Sequence, residues 1–564
     1  MAGEKTKEVE WYVADFETTT EKFYSENGYT KVWLYAIANS EGEVVRYGFS
    51  IEDFIEYITE NLKGSSIYFH NLKFDGSFLV DYLLSNGYTY QESFGDHRRC
   101  FSTLIGDMGE WYSMRVRFGR GCTITFLDSL KLLPYKVKKI AEDFDLPIRK
   151  GSIDYDIILD PSNITTETLD YVFNDVRIVA LALSQIKQEG MVKNTTASCA
   201  YHAYTSLRHP QFLNQCFPDL GTDFLEEWRE AYRGGRCQFN PIHQDKILHN
   251  VYRYDINSMY PYVVHDMPLP YGNPIPISEM GKYKFELYHI RISFELKENH
   301  MPTLLKKCGL FKNGDSYYID TEDIEELWIS SVDFTILKRH YDITHFEFLS
   351  GYGFMTSVLL FRDYIDYWYK RKSIDKGAKR SVDKFMLNCL YGKYGSNCKG
   401  SHKIPYMDEV TGIVHYSQSL PEDMTHYYLP IAIAVTSWAH LLIDDAITLV
   451  GYSNFVYCDT DSVHSLVKLP DYLVDQKQLG KFKLESVEVT SRYVRQKTYV
   501  VQDSDGSISI TCAGMTEDMK DALILEHGTN IFNVFKVGLR VEGKLLPKHV
   551  PGGTILHATT FKIK

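Results

Sequence analysis

Cysteine is sparse and unpatterned: ten residues are scattered from Cys100 to Cys512, with no C-x-x-C pair and no zinc-like spacing. That excludes a disulfide framework and a zinc-finger scaffold, and it fits reduced thiols in a cytosolic protein. An excess of positive charge is also lacking. Lys and Arg number 61 against 74 Asp and Glu, for a net charge of −13. A simple basic DNA-coating protein is therefore excluded, whereas a local basic channel is not. The first residues are charged and carry no apolar secretion signal. The longest apolar stretch, 427–443, contains Pro430 and His440, stops at Asp444-Asp445 and falls short of a comfortable membrane span. It reads as a buried helix. No repeat and no low-complexity linker interrupts the chain.

What is present is ample core material. With 564 residues, 44% apolar and 14% aromatic, the chain is too long for one core, so two or more domains are expected. Its 42 tyrosines serve either amphipathic core edges or ring platforms that stack on bases. Residues 11–190 alternate strand-like runs (11–14, 31–38, 66–69, 123–127) with helical ones (51–62, 137–144, 165–188), the mark of an α/β domain. The pattern turns strand-like again over about 225–262. A long basic helical pair follows over 361–394, then helix and strands over 427–500. A strand-like run, 554–563, closes the sequence.

Two acidic clusters, far apart, each end a β-branched and aromatic run: Tyr254-Asp255-Ile256-Asn257-Ser258-Met259-Tyr260-Pro261 and Tyr457-Cys458-Asp459-Thr460-Asp461-Ser462. Carboxylates at strand ends can converge and hold two divalent cations about 3.5–4 Å apart, the geometry for in-line displacement at phosphorus. Asp255 and Asp461 are the bridging candidates; Asp459 binds metal directly or supports from behind. Tyr260 reads either as a packed ring or as a steric gate against a 2′-hydroxyl. Lys384, Asn388 and Tyr391 recur at i, i+4, i+7 on one helix face, and Arg380 and Lys372 are read as extending it upstream. Such cations can neutralise a polyphosphate. Lys497 adds a second phosphate-facing amine, and Tyr232, Gly234 and Gly235 offer close approach to a template.

A third acidic set lies near the start. Asp15 and Glu17 share a strand face by the period of two. Asp75 follows a strand, and Tyr171 and Asp175 are spaced i, i+4 on a helix. Four acids can hold two metals, and the phenol can orient an attacking water.

The ordered motifs D-x-E, N-x-x-x-D and Y-x-x-x-D resemble the DEDDy 3′–5′ proofreading nucleases. In that family Thr18, His70, Asn71, Phe74, Ser129 and Leu130 would contact the single-stranded primer end, and Lys150 a phosphate. With Y-x-G-G, D-x-x-S-x-Y-P, K-x-x-x-N-x-x-Y-G, Y-x-D-T-D-S and K-x-Y following in order, the chain resembles the family B DNA polymerases. Over roughly 10–564 it is similar to the protein-primed, phi-29-type phage branch.

That resemblance implies an α/β and α+β multidomain fold. An RNase H-like exonuclease (1–190) would precede a right hand: palm (191–302 and 427–519), fingers (361–397) and thumb (520–564). Two insertions are implied, 303–360 for terminal-protein and DNA contact and 398–426 for processivity and strand displacement. Metal ligands would be Asp255, Ile256 and Asp461 at one centre and Asp15, Glu17, Asp75 and Asp175 at the other, each with two Mg²⁺, Mn²⁺ being able to substitute. Nucleotide contacts would come from Tyr260, Lys372, Arg380, Lys384, Asn388, Tyr391 and Tyr457. DNA contacts would come from Tyr232, Gly234, Gly235, Ser258, Gly392, Lys393, Lys497 and Tyr499. The implied partners are template-primer DNA, dNTPs and a terminal protein, with the chain a monomer or paired with that protein in the cytoplasm of an infected bacterium. Three positions depart from the pattern. Met259 and Cys389 stand for the usual Leu and Ser, and His440 for an expected arginine, losing a fork for DNA or the primer protein.

Overall fold

The computed structural model describes residues 9–151, 164–306, 317–321 and 323–564. Three sheets of different size organise the chain, each with helices against it. The fold is multidomain α/β, as expected.

In the first sheet of eight strands, Val32–Ala38 is buried at all seven positions, as its unbroken apolar run requires. It pairs antiparallel with Trp11–Thr18, which pairs parallel with Ser66–Phe69. Ser66–Phe69 in turn runs parallel to Cys122–Asp128. Parallel neighbours need crossover connections, and the helix Leu72–Ser85 begins one. The helix Thr166–Gln188, capped by Thr165, packs across Trp11–Thr18 and Val32–Ala38. The expected elements at 66–69, 137–144 and 165–188 lie within one or two residues of those observed.

The second sheet has seven strands with Ile247–Ile256 at its centre, flanked by Phe482–Arg495 and Ser462–Ser465. Behind it lies the helix Leu429–Val450. Among the described residues this is the one helix long and apolar enough to cross a membrane, yet 67% of its apolar window is buried by other elements. It is core. The region 225–262, expected to be strand-like, also holds the helices Thr222–Trp228 and Met259–Asp266. The basic pair is two helices, Arg362–Ile374 and Gly377–Tyr394, broken where Gly377 takes φ +56°.

The third sheet joins Leu269–Ile277, Tyr341–Ser357, Phe285–Leu296 and Glu325–Ser330 around its own apolar centre, including Ile290, Phe294, Leu304 and Leu337. The boundary expected at 303 falls inside this sheet, because Leu269–Ile277 and Phe285–Leu296, which precede it, pair with Tyr341–Ser357, which follows it. Two small hairpins occupy 399–423. A hairpin of Arg540–Val550 and Gly553–Lys562 returns to the first domain. At its tip Thr30 N donates to Pro551 O (2.9 Å) and Gly552 N to Asp81 Oδ2 (3.1 Å). Gly552 has φ +89°, and a Cβ there would stand 2.0 Å from Thr30 O. Only glycine fits.

Candidate active sites

Register brings the first pair of acids together. Asp255 pairs with Ser462 on one side, and Asp459 pairs with Ser462 on the other. The intervening turn places Asp461 against Asp255, and Ile256 N donates to Asp461 O (2.8 Å). Burial, then the Asp461 charge, push the Asp255 carboxyl up to about 7. Burial also raises Asp461, with Asp459 adding to it. Two carboxylates that resist ionising side by side are the donor set a divalent cation relieves. The Ile256 side chain is buried, so that residue has only its carbonyl to offer.

Asp459 is differently engaged. It accepts from Lys497 Nζ (2.8 and 3.0 Å), Tyr457 OH (3.2 Å) and Thr460 Oγ1 (3.2 Å). Burial opposes the Lys497 charge, but these bonds raise its pKa overall. Tyr457, expected to touch nucleotide, is 1% exposed. Its hydroxyl also accepts from Lys497 N (3.2 Å), so it braces the Asp459–Lys497 pair instead. Tyr499 stacks on Tyr493 beside it, ring centroids 4.9 Å apart.

Cations face these acids. Lys372 Nζ donates to Ser258 Oγ (2.7 Å); burial, then Lys384 and Arg380, depress its pKa. Lys372 does not continue the Lys384 face, because the break at 375–377 puts it on the preceding helix, which folds back beside it. Arg380, Lys384 and Asn388 are exposed on Gly377–Tyr394. The Tyr260 and Tyr391 rings lie 4.5 Å apart at 30°. Gly392 opens on free space, and Lys393 lies over Tyr427, 4.8 Å from its centroid.

The Tyr232–Gly235 segment packs against neighbouring elements of the chain. Tyr232 fills the space beside Gly395, and a Cβ on Gly235 would stand 2.9 Å from Thr460 Oγ1. The acidic turn thus leaves no room for a side chain at Gly235. His440, standing where an arginine was expected, is buried; Nδ1 meets Asp333 Oδ1 (2.9 Å) and Nε2 donates to Gly234 O (2.6 Å).

The second acidic set lines a cavity of about 830 Å³ together with Thr18, His70, Asn71, Phe74, Lys150 and Tyr171. Glu17, Asp75, Tyr171 and Asp175 are buried. Burial first, then Asp175, push Asp15 up to about 7; burial and Asp15 raise Glu17 and Asp75. Lys150 pairs with Asp175 and lies 4.9 Å from the Tyr171 centroid, so it meets a carboxylate rather than open space. Asp175 Oδ1 is buried without a hydrogen-bond partner. Among the described residues no three acidic, imidazole or thiol groups already surround a single ion position. The mutual repulsion and the orphaned oxygen are what a cation would relieve.

Ser129, expected to touch DNA, is fully buried. Its hydroxyl donates to Phe69 O (3.0 Å) and bonds His70 Nδ1 (3.0 Å), while His70 Nε2 donates to Tyr135 O (2.8 Å). Burial lowers the His70 pKa. Leu130 is half-buried in the adjoining turn, Ser129–Lys131, and does not line the cavity. Among the lining residues that were not foreseen are Leu545, Leu556 and Ala558 of the returning hairpin. Nothing local marks a segment so distant in sequence.

Several anchors take backbone that side chains avoid. Asn71 (φ +77°), Ser258 (+51°), Thr460 (+60°) and Lys497 (+52°) are all left-handed. Such strain gathers at functional sites.

The family sequence model for DNA polymerase type B, organellar and viral, matches residues 60–162 and 158–466. The DNA polymerase of Bacillus phage phi29 is 35% identical, covering 98% of this chain and 99% of its own. That of Streptococcus phage Cp-1 is 32% identical over 98% of each. Phi29 DNA polymerase complexed with primer-template DNA superimposes with a TM-score of 0.90 at 33% identity, over 99% of this chain and all of that one. Its complex with primer-template DNA and incoming nucleotides gives 0.89 at 34%, with the same coverage.

Proposed function

The chain belongs to the type B DNA polymerases of organelles and viruses and is a DNA-directed DNA polymerase; from that premise we propose how it works and what else it does. The primer 3′-hydroxyl attacks the α-phosphorus of a dNTP, displacing pyrophosphate. The observation carrying this reading is the convergence of Asp255 and Asp461 at one sheet end, faced by Lys372, Lys384 and Arg380. Asp255, Asp461 and the Ile256 carbonyl would hold two Mg²⁺, for which Mn²⁺ can substitute. Bound metal supplies a more acidic hydroxyl and support for the leaving oxygen. Lys384, Arg380 and Lys372 bind the triphosphate, and Tyr260 lies where a sugar ring would stack. Lys497, held by Asp459, aligns the primer phosphate.

The same chain proofreads. Asp15, Glu17, Asp75 and Asp175 would hold two further ions, Tyr171 orients the water, and Thr18, Asn71 and Phe74 grip the frayed end. The likeness to protein-primed phage polymerases supports initiation on a terminal-protein hydroxyl. It also supports processive, strand-displacing copying of a linear phage genome in the cytoplasm of an infected bacterium. The four-stranded module and the paired hairpins are the elements proposed to meet the terminal protein and enclose DNA.

In the decisive test, Asp461→Ala abolishes extension of a primed template yet degrades single strands at the wild-type rate. Asp15→Ala with Asp75→Ala does the reverse. Loss of both activities in either folded variant contradicts two separate centres. Labelled dATP with a candidate terminal protein yields a covalent nucleotide adduct if priming is on protein.

A further inference from the structure

The turn that carries Asp461 does not support itself. Thr460, at its tip, is a β-branched residue at φ +60°, a conformation held only when the surroundings impose it. Those surroundings are residues 234–236. Thr460 N donates to Arg236 O (2.7 Å), and the Thr460 side chain occupies the space that a Cβ on Gly235 would need.

What fixes residues 234–236 is buried charge. The Arg236 side chain is 2% exposed; Nη1 donates to Asp444 Oδ1 (2.8 Å) and Nε to Gln238 Oε1 (2.7 Å). Asp444 is wholly buried on Leu429–Val450, one turn after His440, which holds Gly234 O. The helix Ser331–His340 supplies the matching charges. Its Asp333 meets His440, while Arg339 (3.3 Å) and His340 (2.9 Å) meet Asp444. A buried ion pair adds little stability over apolar residues of equal volume, so its use is better sought in fixing one geometry.

We infer that Arg236 and Asp444 are positioning residues of the polymerase centre. Their buried pair holds the backbone of 234–236, from which the Asp459-Thr460-Asp461 turn hangs. The inference rests on the reading of Asp461 given above. Neither residue touches substrate. They act by keeping the Asp461 carboxylate in register with Asp255, where a displacement of about 1 Å costs on the order of 100-fold in rate.

The test uses the full chain with Arg236→Met and Asp444→Leu combined. Arg339 retains Asp445 (2.6 Å), so the double change strands no arginine. The expected result is a kcat lower by about 10- to 100-fold. The KM for dNTP, the affinity for template-primer and the melting temperature stay near wild type. An unchanged kcat overturns the inference. So does a fall in kcat matched by equal losses of DNA affinity and thermal stability, which marks a purely architectural pair. Asp461→Ala in the same assay separates the premises. If it still synthesises, the reading of the centre and this inference fall together; if it is dead while the double variant turns over normally, only the positioning role falls.

Discussion

Tyr260 lies against Tyr391 and beside the acids, half-buried, with burial raising its pKa. In the reading proposed above, that ring takes the volume a 2′-hydroxyl would need. Tyr260→Val should therefore admit ribonucleotides, with selectivity for dNTP over rNTP dropping by roughly 10- to 200-fold, the discrimination shape exclusion in a pocket supplies. Competitive incorporation assays measure it, and unchanged selectivity returns Tyr260 to packing. The acids were legible in the sequence because they recur in ordered motifs, with Asp255 and the Asp459–Asp461 turn at strand ends. Tyr457 and Ser129 were misread because a motif gives a residue's neighbourhood and not its facing. Tyr457 and Ser129 turn inward to hold a neighbour, and Gly235 yields space to Thr460.

The helix Leu429–Val450 teaches a similar lesson about whole elements. Asp444-Asp445 reads as the end of an apolar run, yet the helix continues to Val450. Burial alone would raise the Asp444 carboxyl, but hydrogen bonding from His340 and the Arg236 charge hold it near 2. Its i, i+4 relation to His440 was readable; its partners on other elements were not. Likewise, the strand pairing of Phe285–Leu296 with Tyr341–Ser357 spans a gap that no local pattern bridges.

The docked hairpin offers a measurable case. Asp81, which receives Gly552 N, is pushed up to about 6 by burial, from an ordinary 3.8. A carboxyl raised on folding favours the protonated native state. Its contribution is complete below about 3.8 and is lost as pH rises through about 6. Asp81→Asn keeps an acceptor for Gly552 N without the buried charge. It should stabilise the protein at pH above 7 by on the order of 2 kcal/mol and flatten the slope of stability between these values. Denaturant melts at several pH values decide it; a parallel shift of both curves refutes the assignment.

Taken whole, the molecule is acidic at −13, yet it gathers cations where DNA would run. Lys372, Arg380, Lys384 and Lys393 cluster on the two basic helices, and Lys497 stands across from them. Local phosphate contacts release counterions whatever the net charge. Affinity for template-primer should therefore fall roughly 10³-fold between about 50 and 200 mM salt if some six contacts form. Fluorescence anisotropy across a salt series tests this, and a flat response denies a basic channel.

The hairpin that docks on Asp81 and Thr30 also sets an order in time. Leu545, Leu556 and Ala558 complete the wall of a cavity whose other sides are all built from residues before 180. On the ribosome, the first domain emerges and can fold long before the wall that finishes it. Throughout that interval the cavity lacks this wall. The acids of that cavity are thus synthesised long before the apolar wall that completes it.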